Sequence, residues 1–172
     1  MKKRSLLLPF LLFSSLIFAE GDKTFKVGSP VFEPQSFIPQ KYSCEGADIS
    51  PALFWENPPQ NVKSYVLIIE DPDAPNGNWV HWIVFNIPPG VRNLTEGELP
   101  PGAINGKNSW GTIGYRGPCP PSGDDVHRYV FKLFALDTVL SLDYPATRDD
   151  VINAIQYHVL ASSQFSANYH RY

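Results

Sequence analysis

Three consecutive pieces of sequence decide how the chain is read. Tyr65-Val66-Leu67-Ile68-Ile69-Glu70 is an apolar run. Asp71-Pro72-Asp73-Ala74-Pro75-Asn76-Gly77-Asn78 is rich in turn formers. Trp79-Val80-His81-Trp82-Ile83-Val84-Phe85-Asn86-Ile87 is a second apolar run, stopped by Pro88-Pro89-Gly90. Short β-branched and aromatic runs between turn residues read as strands. Because the runs are continuous rather than alternating, both faces of these strands should be buried. Tyr129–Leu136 (YVFKLFAL) reads as a third such strand. Shorter strands are expected at Phe25–Val27, Lys41–Ser43 and Leu53–Trp55. One late segment predicts a helix. Thr147 can cap it, and Asp149 and Asp150 fall in the first turn, where the helix dipole favours anions. Val151, Ile155 and Val159 recur every four residues, with Ile152 and Leu160 beside them, which extends the expected helix to about Ala161.

Composition agrees with a mostly β chain. Seventeen prolines among 172 residues exclude long uninterrupted helices, because proline lacks an N–H and clashes within a helix. Aromatic residues at 13% and charged residues at 18% exclude a disordered chain. Repeats, linkers and low-complexity segments are missing, so a single domain is expected.

The N-terminus reads as a targeting segment. Lys2, Lys3 and Arg4 precede an uncharged apolar run from Ser5 to Phe18, then Ala19 and a polar turn at Glu20. This is the pattern of a secretory signal. At about 15 residues the run is short of the ~20 that a spanning helix needs; an uncleaved anchor is the alternative. The expected division is residues 1–19 as signal peptide and 20–172 as the folded domain. Cleavage would remove three of the 14 basic residues and none of the 17 acidic ones, leaving a net charge of −6. An acidic domain without a basic run excludes nucleic acid as partner. The expected location is outside the cytoplasm: periplasmic in a Gram-negative source, otherwise secreted. There Cys44 and Cys119, an even pair, suggest a disulfide; two free thiols in separate loops are the alternative.

Polar side chains collect at the strand ends. Asp71 and Asp73 follow the first apolar run, His81 lies in the second and His127 opens the third. Alternation places His127 with Tyr129, Phe131, Leu133 and Ala135, and His81 with Trp79, Ile83 and Phe85. Both histidines should therefore face a core or its edge. The loop Gly114-Tyr115-Arg116-Gly117-Pro118-Cys119-Pro120-Pro121-Ser122-Gly123 precedes His127. Its glycines allow close backbone approach, its prolines stiffen it, and backbone N–H groups with histidines suit an anion.

The order of these pieces resembles the phosphatidylethanolamine-binding protein family. The matching motifs are Asp71-Pro72-Asp73-Ala74-Pro75, His81-Trp82, Gly114 to Pro121, and His127-Arg128-Tyr129. Tyr42 to Pro51 is similar to the family's bacterial and archaeal branch, often labelled Raf-kinase-inhibitor-like. The resemblance implies a β-sandwich-like core of two antiparallel sheets with a C-terminal helix. It also implies a small pocket for phosphate-like anions or phospholipid head groups. By motif match the ligand residues would be Asp71, Asp73, Pro75, His81, Cys119, Pro120, His127 and Tyr129. Asp71 would order the loops, and the two histidines would donate to the anion. A non-catalytic binding role is implied, with inhibition of a kinase or protease as a further one. No cofactor and no metal are expected; His81, His127, Asp71 and Asp73 lack metal-ligand spacing. Asp124 and Asp125 stand out as carboxylates beside an anion pocket, which they would repel at close range. The alternative is a hydrolase in the same pocket, either thiol-dependent, with Cys119 as nucleophile and a histidine as base, or His/Asp-dependent.

Overall fold

The computed structural model describes residues 24–171; the expected signal segment lies outside the described residues. Two antiparallel sheets carry the fold. The smaller holds β1 (Lys26–Gly28), β2 (Leu53–Glu56) and β5 (Asn93–Leu94), in the order β1-β2-β5. The larger holds β3 (Ser64–Asp71), β4 (Trp79–Ile87), β6 (Ile104–Asn105), β7 (His127–Leu136) and β8 (Val159–Tyr169), in the order β6-β4-β3-β7-β8. Among the described residues one α-helix, α1 (Arg148–Ile155), precedes β8.

The apolar run at Tyr65–Glu70 is the central strand, and all eight residues of β3 are buried. Its two faces serve two layers. Tyr65, Leu67 and Ile69 pack with Phe131 and Leu133 against Val27, Leu53, Trp55 and Leu94 of the smaller sheet. Val66 and Ile68 pack with Ile83 and Phe85 against Val151 and Ile155 of α1. Apolar residues on both faces of one strand thus require a three-layer arrangement. Thr147 caps α1 as expected, in a reciprocal box with Asp150.

Two expectations are corrected. Lys41–Ser43 is not a strand: Gln40–Tyr42 forms a 3₁₀ turn that buries Tyr42, and the Ser43 amide and hydroxyl both donate to the Gln40 carbonyl. The helix ends at Ile155, and Val159–Ala161 open β8 instead. Leu136 pairs with Val159, and the Asp137 amide donates to the His158 carbonyl, so the chain reverses there. The helical spacing of Val159 is coincidental, since Val159 and Leu160 are each 41% exposed. The rest of β8 is a strand that the opening pattern did not predict. Its serines mask an inward alternation of Phe165, Ala167 and Tyr169.

Glu70 is a buried carboxylate on the helix side. It accepts from Asn78 Nδ2 at 2.7 Å and Arg148 Nε at 2.8 Å, and pairs with Lys132. Burial alone would raise its pKa, but the hydrogen bonds from Lys132, Arg148 and Asn78 outweigh burial and hold it below 4.5. A lowered folded pKa means stabilisation that is complete above pH 4.5 and lost as pH falls through the folded value. Removing one partner of a fully buried pair costs about 3–5 kcal/mol. Here Lys132 and Arg148 are about a third exposed and can rehydrate. Glu70→Gln is therefore expected to lose only about 1–2 kcal/mol at pH 7 and to show a flatter acid limb. Urea denaturation at pH 7 and pH 3.5 measures both; equal stability of the two proteins at pH 7 would refute the assignment.

Candidate functional site

Strand order brings the polar residues together. β4, β3 and β7 are neighbours, so His81, Asp71 at the end of β3, and His127 and Tyr129 at the start of β7 share one end of the larger sheet. A β-bulge aims His81. Ile69 pairs with Trp82 and Glu70 with Val80, which leaves His81 as the extra residue. Its ring meets that of Tyr129 edge-on, 5.1 Å between centroids. Simple alternation put His81 with Ile83 and Phe85. The bulge separates them, and Ile83 and Phe85 pack toward α1.

Asp71 organises the site from within. It is 3% exposed, with His81 at 2%, His127 at 5% and Tyr129 at 1%. Its Oδ2 accepts from His127 Nδ1 at 2.7 Å, and its Oδ1 accepts from the Asp73 amide at 2.9 Å. Asp73 turns outward, where it accepts from the Arg128 amide and pairs with the Arg128 guanidinium.

The Gly/Pro loop closes the other side. Arg116 clamps His81 in two directions: its amide donates to the His81 carbonyl at 3.0 Å, and its carbonyl accepts from His81 Nδ1 at 2.7 Å. The Gly117 amide donates to Asp48 Oδ1 at 2.6 Å. A Cβ at Gly117 would overlap the Tyr42 carbonyl, so only glycine permits this approach. Cys44 and Cys119 are joined by a disulfide with Cα atoms 5.4 Å apart. The Cys44 amide also donates to the Pro118 carbonyl, and Tyr115 donates its hydroxyl proton to the Tyr42 carbonyl. Of the two readings of the cysteines, the bonded one holds.

The result is a cavity of about 190 Å³. Every expected ligand residue lines it except Asp73: Asp71, Pro75, His81, Cys119, Pro120, His127 and Tyr129. Sequence reading missed the aromatic wall. Trp79 and Trp110 meet edge-on at 5.3 Å, and Trp110 also packs edge-on against His81 at 4.9 Å. The Arg116 guanidinium lies over the Trp110 ring. Trp79 could have been found from its strand position beside the Asp71 loop; nothing local marks Trp110.

Electrostatics distinguish the polar groups. Burial pushes the His81 pKa down, only partly opposed by the Arg116 carbonyl and Asp71, so the ring favours its neutral form. Burial, and next the charge of Asp71, pushes the Tyr129 phenol well above its usual 10, so its hydroxyl keeps its proton. That hydroxyl is buried beside the Asp71 carboxylate, which it meets without good hydrogen-bond geometry. Asp124 Oδ2 stands 3.7 Å from His127 Nε2, which places one of the two expected carboxylates at the site. Among the described residues no group of three or more His, Cys, Asp or Glu is placed to hold a metal ion.

This constellation has a known family. The family model described as phosphatidylethanolamine-binding protein matches residues 28–170. The chain belongs to that family. Members of the phosphatidylethanolamine-binding protein family are in general non-catalytic binding proteins. A "UPF0098 protein" from Methanothermobacter thermautotrophicus is 49% identical over 145 residues, covering 81% of this chain and 95% of that one. A crystal structure of a phosphatidylethanolamine-binding protein homologue from Chlamydia trachomatis superposes with a TM-score of 0.82 at 41% identity, covering 87% of this chain and 99% of its own. The Escherichia coli family member YbcL gives 0.81 at 32% identity, over 86% and 99%. The fold expected from the sequence, two antiparallel sheets in one domain with a late helix, is the fold of these structures.

Proposed function

We propose that the chain is an exported, non-catalytic binding protein whose pocket holds a small phospho-ligand or a similar anion. One observation carries the reading. His81 from β4 and His127 and Tyr129 from β7, the two strands that flank β3, converge on one small cavity, and Tyr129 brings to it a buried hydroxyl that meets Asp71 only in poor geometry. A buried donor held this poorly is costly, and an anion oxygen would satisfy it better. The volume suits a head group rather than a drug-sized molecule, whose sites run to ~300–1,000 Å³. Trp79, Trp110 and the prolines would face the ligand's apolar part.

The disulfide supports export, because such bonds persist in oxidising compartments. No helix among the described residues is long and apolar enough to cross a membrane. The thiol-dependent hydrolase loses its nucleophile, since Cys119 is bonded to Cys44. The His127–Asp71 pair could still activate water, and the test below includes turnover. The inhibitor role implied by the resemblance rests on no feature of the described surface and forms no part of this proposal.

Trp79 and Trp110 provide the signal. Titration with phenyl phosphate at pH 6 is expected to give a saturable fluorescence change, weakened at least tenfold in Tyr129→Phe. Absence of binding, or equal affinity in the variant, would overturn the reading. Release of phenol and phosphate would overturn its non-catalytic part.

A further inference from the structure

Both pocket histidines have their proton positions fixed by what they touch. His81 Nδ1 lies 2.7 Å from the Arg116 carbonyl oxygen, which can only accept. His127 Nδ1 lies 2.7 Å from Asp71 Oδ2, whose carboxylate also accepts the Asp73 amide through Oδ1. Each Nδ1 therefore carries a hydrogen. A neutral imidazole has one N–H, so each ring, when neutral, has a bare lone pair at Nε2; the Nε2 of His127 stands 3.7 Å from Asp124 Oδ2, and His81 lines the cavity. An anion oxygen cannot meet such a lone pair without a proton between them. The expectation that both rings donate to an anion applies only to rings holding a second proton.

Resting on the anion reading above, we infer that the pocket selects the acid form of its ligand: a hydrogen-phosphate monoester whose P–O–H donates to His81 Nε2 while Tyr129 donates to a second oxygen. The surroundings agree. The titratable and charged groups facing His81 are Asp71 on β3, Tyr129 on β7, and Asp48 and Arg116 on the loops. Those facing His127 are Asp71, Asp124 and, across the β7–β8 pairing, Tyr169. Arg171 adds a second cation at the Cys119 wall, yet Asp48, Asp71 and Asp124 still outnumber Arg116 and Arg171, so a dianion meets repulsion that a monoanion largely escapes. His81, held neutral by burial, is the natural acceptor for the ligand's own proton.

Sulfate monoesters provide the contrast, because they have similar shape and one negative charge but no ionisable O–H near neutrality. A site that accepts a ligand hydroxyl rejects the analogue lacking it, because its buried acceptor is left facing an oxygen lone pair. Calorimetric titration of the intact protein with phenyl phosphate and phenyl sulfate from pH 5.5 to 8.5 tests this. At pH 6 the phosphate ester is expected to bind at least tenfold more tightly. Its affinity should fall about tenfold per pH unit above its second pKa, near 6. His81→Gln, which can turn an amide N–H toward the pocket, should narrow the gap between the esters; should it fail to fold, the wild-type curves decide. Equal affinities at pH 6, or phenyl phosphate affinity unchanged from pH 6 to 8.5, would overturn the inference and leave the anion reading standing. Binding of neither ester at pH 5.5 would overturn the anion reading and this inference with it.

Discussion

In Asp71→Ala, binding of phenyl phosphate is expected to fall at least a hundredfold, and the unfolding free energy to drop by about 2–4 kcal/mol. The size follows from what the carboxylate holds. Asp71 is buried and accepts from both the His127 ring and the Asp73 amide. Alanine leaves the His127 Nδ1–H unpaired at a position only 5% exposed. It also frees the loop that carries Ala74, Pro75 and Asn76 along the pocket wall. Asp71→Asn separates shape from charge. Its amide N–H can donate to His127 Nδ1 once that ring moves its proton to Nε2, so the stability loss should stay under about 1.5 kcal/mol. Chemical denaturation and ester titration of both variants measure the two effects. An alanine variant as stable as wild type would show that the carboxylate does not organise the site.

The disulfide should give the second large effect. Cys44 and Cys119 are 75 residues apart, so the bond closes a long loop in the unfolded chain. Chain-entropy reasoning assigns such a closure about 4 kcal/mol, and measured losses commonly fall at 2–4 kcal/mol. For a domain of this size that corresponds to a fall in Tm of roughly 10 °C. The Cys44→Ala/Cys119→Ala variant should still fold to the same structure. Three hydrogen bonds join the same loops independently: Cys44 amide to Pro118, Tyr115 to Tyr42 and Gly117 to Asp48. Calorimetry should therefore show a lower Tm, with ester affinity reduced by no more than about tenfold, since one wall of the cavity loosens. An unchanged Tm would mean that the bond adds nothing beyond those hydrogen bonds.

Much of this molecule was legible from its sequence, for reasons that particular residues make plain. β3 and β4 announced themselves because a strand covered on both faces must be apolar throughout. His127 and Tyr129 were placed on the correct face because β7 keeps a strict alternation. β8 was hidden because an edge strand with serines at alternate positions has no strong pattern, and its register comes from β7. The orientation of His81 was hidden for a different reason. It depends on where two strands slip past each other, and that is a property of the pair. Asp73 matched the ligand motif by position, yet its side chain serves the backbone of Arg128. Trp110 reaches the pocket from a long irregular loop, where sequence distance gives no guide to spatial neighbours.

The bulge at His81 makes residue count a determinant of binding in its own right. Removing Val80 from β4 would set His81 opposite Glu70, restore regular pairing and leave the strand otherwise intact. Such a chain could retain Asp71, His127, Tyr129 and a histidine in β4, and fold into the same two sheets. Its histidine would then point to the helix side, and the pocket would lose a wall. Relatives that keep every residue of the set should therefore be compared by strand length before they are assumed to bind alike. In this fold, competence is written partly as spacing, and a chain can lose it without a single side chain being replaced.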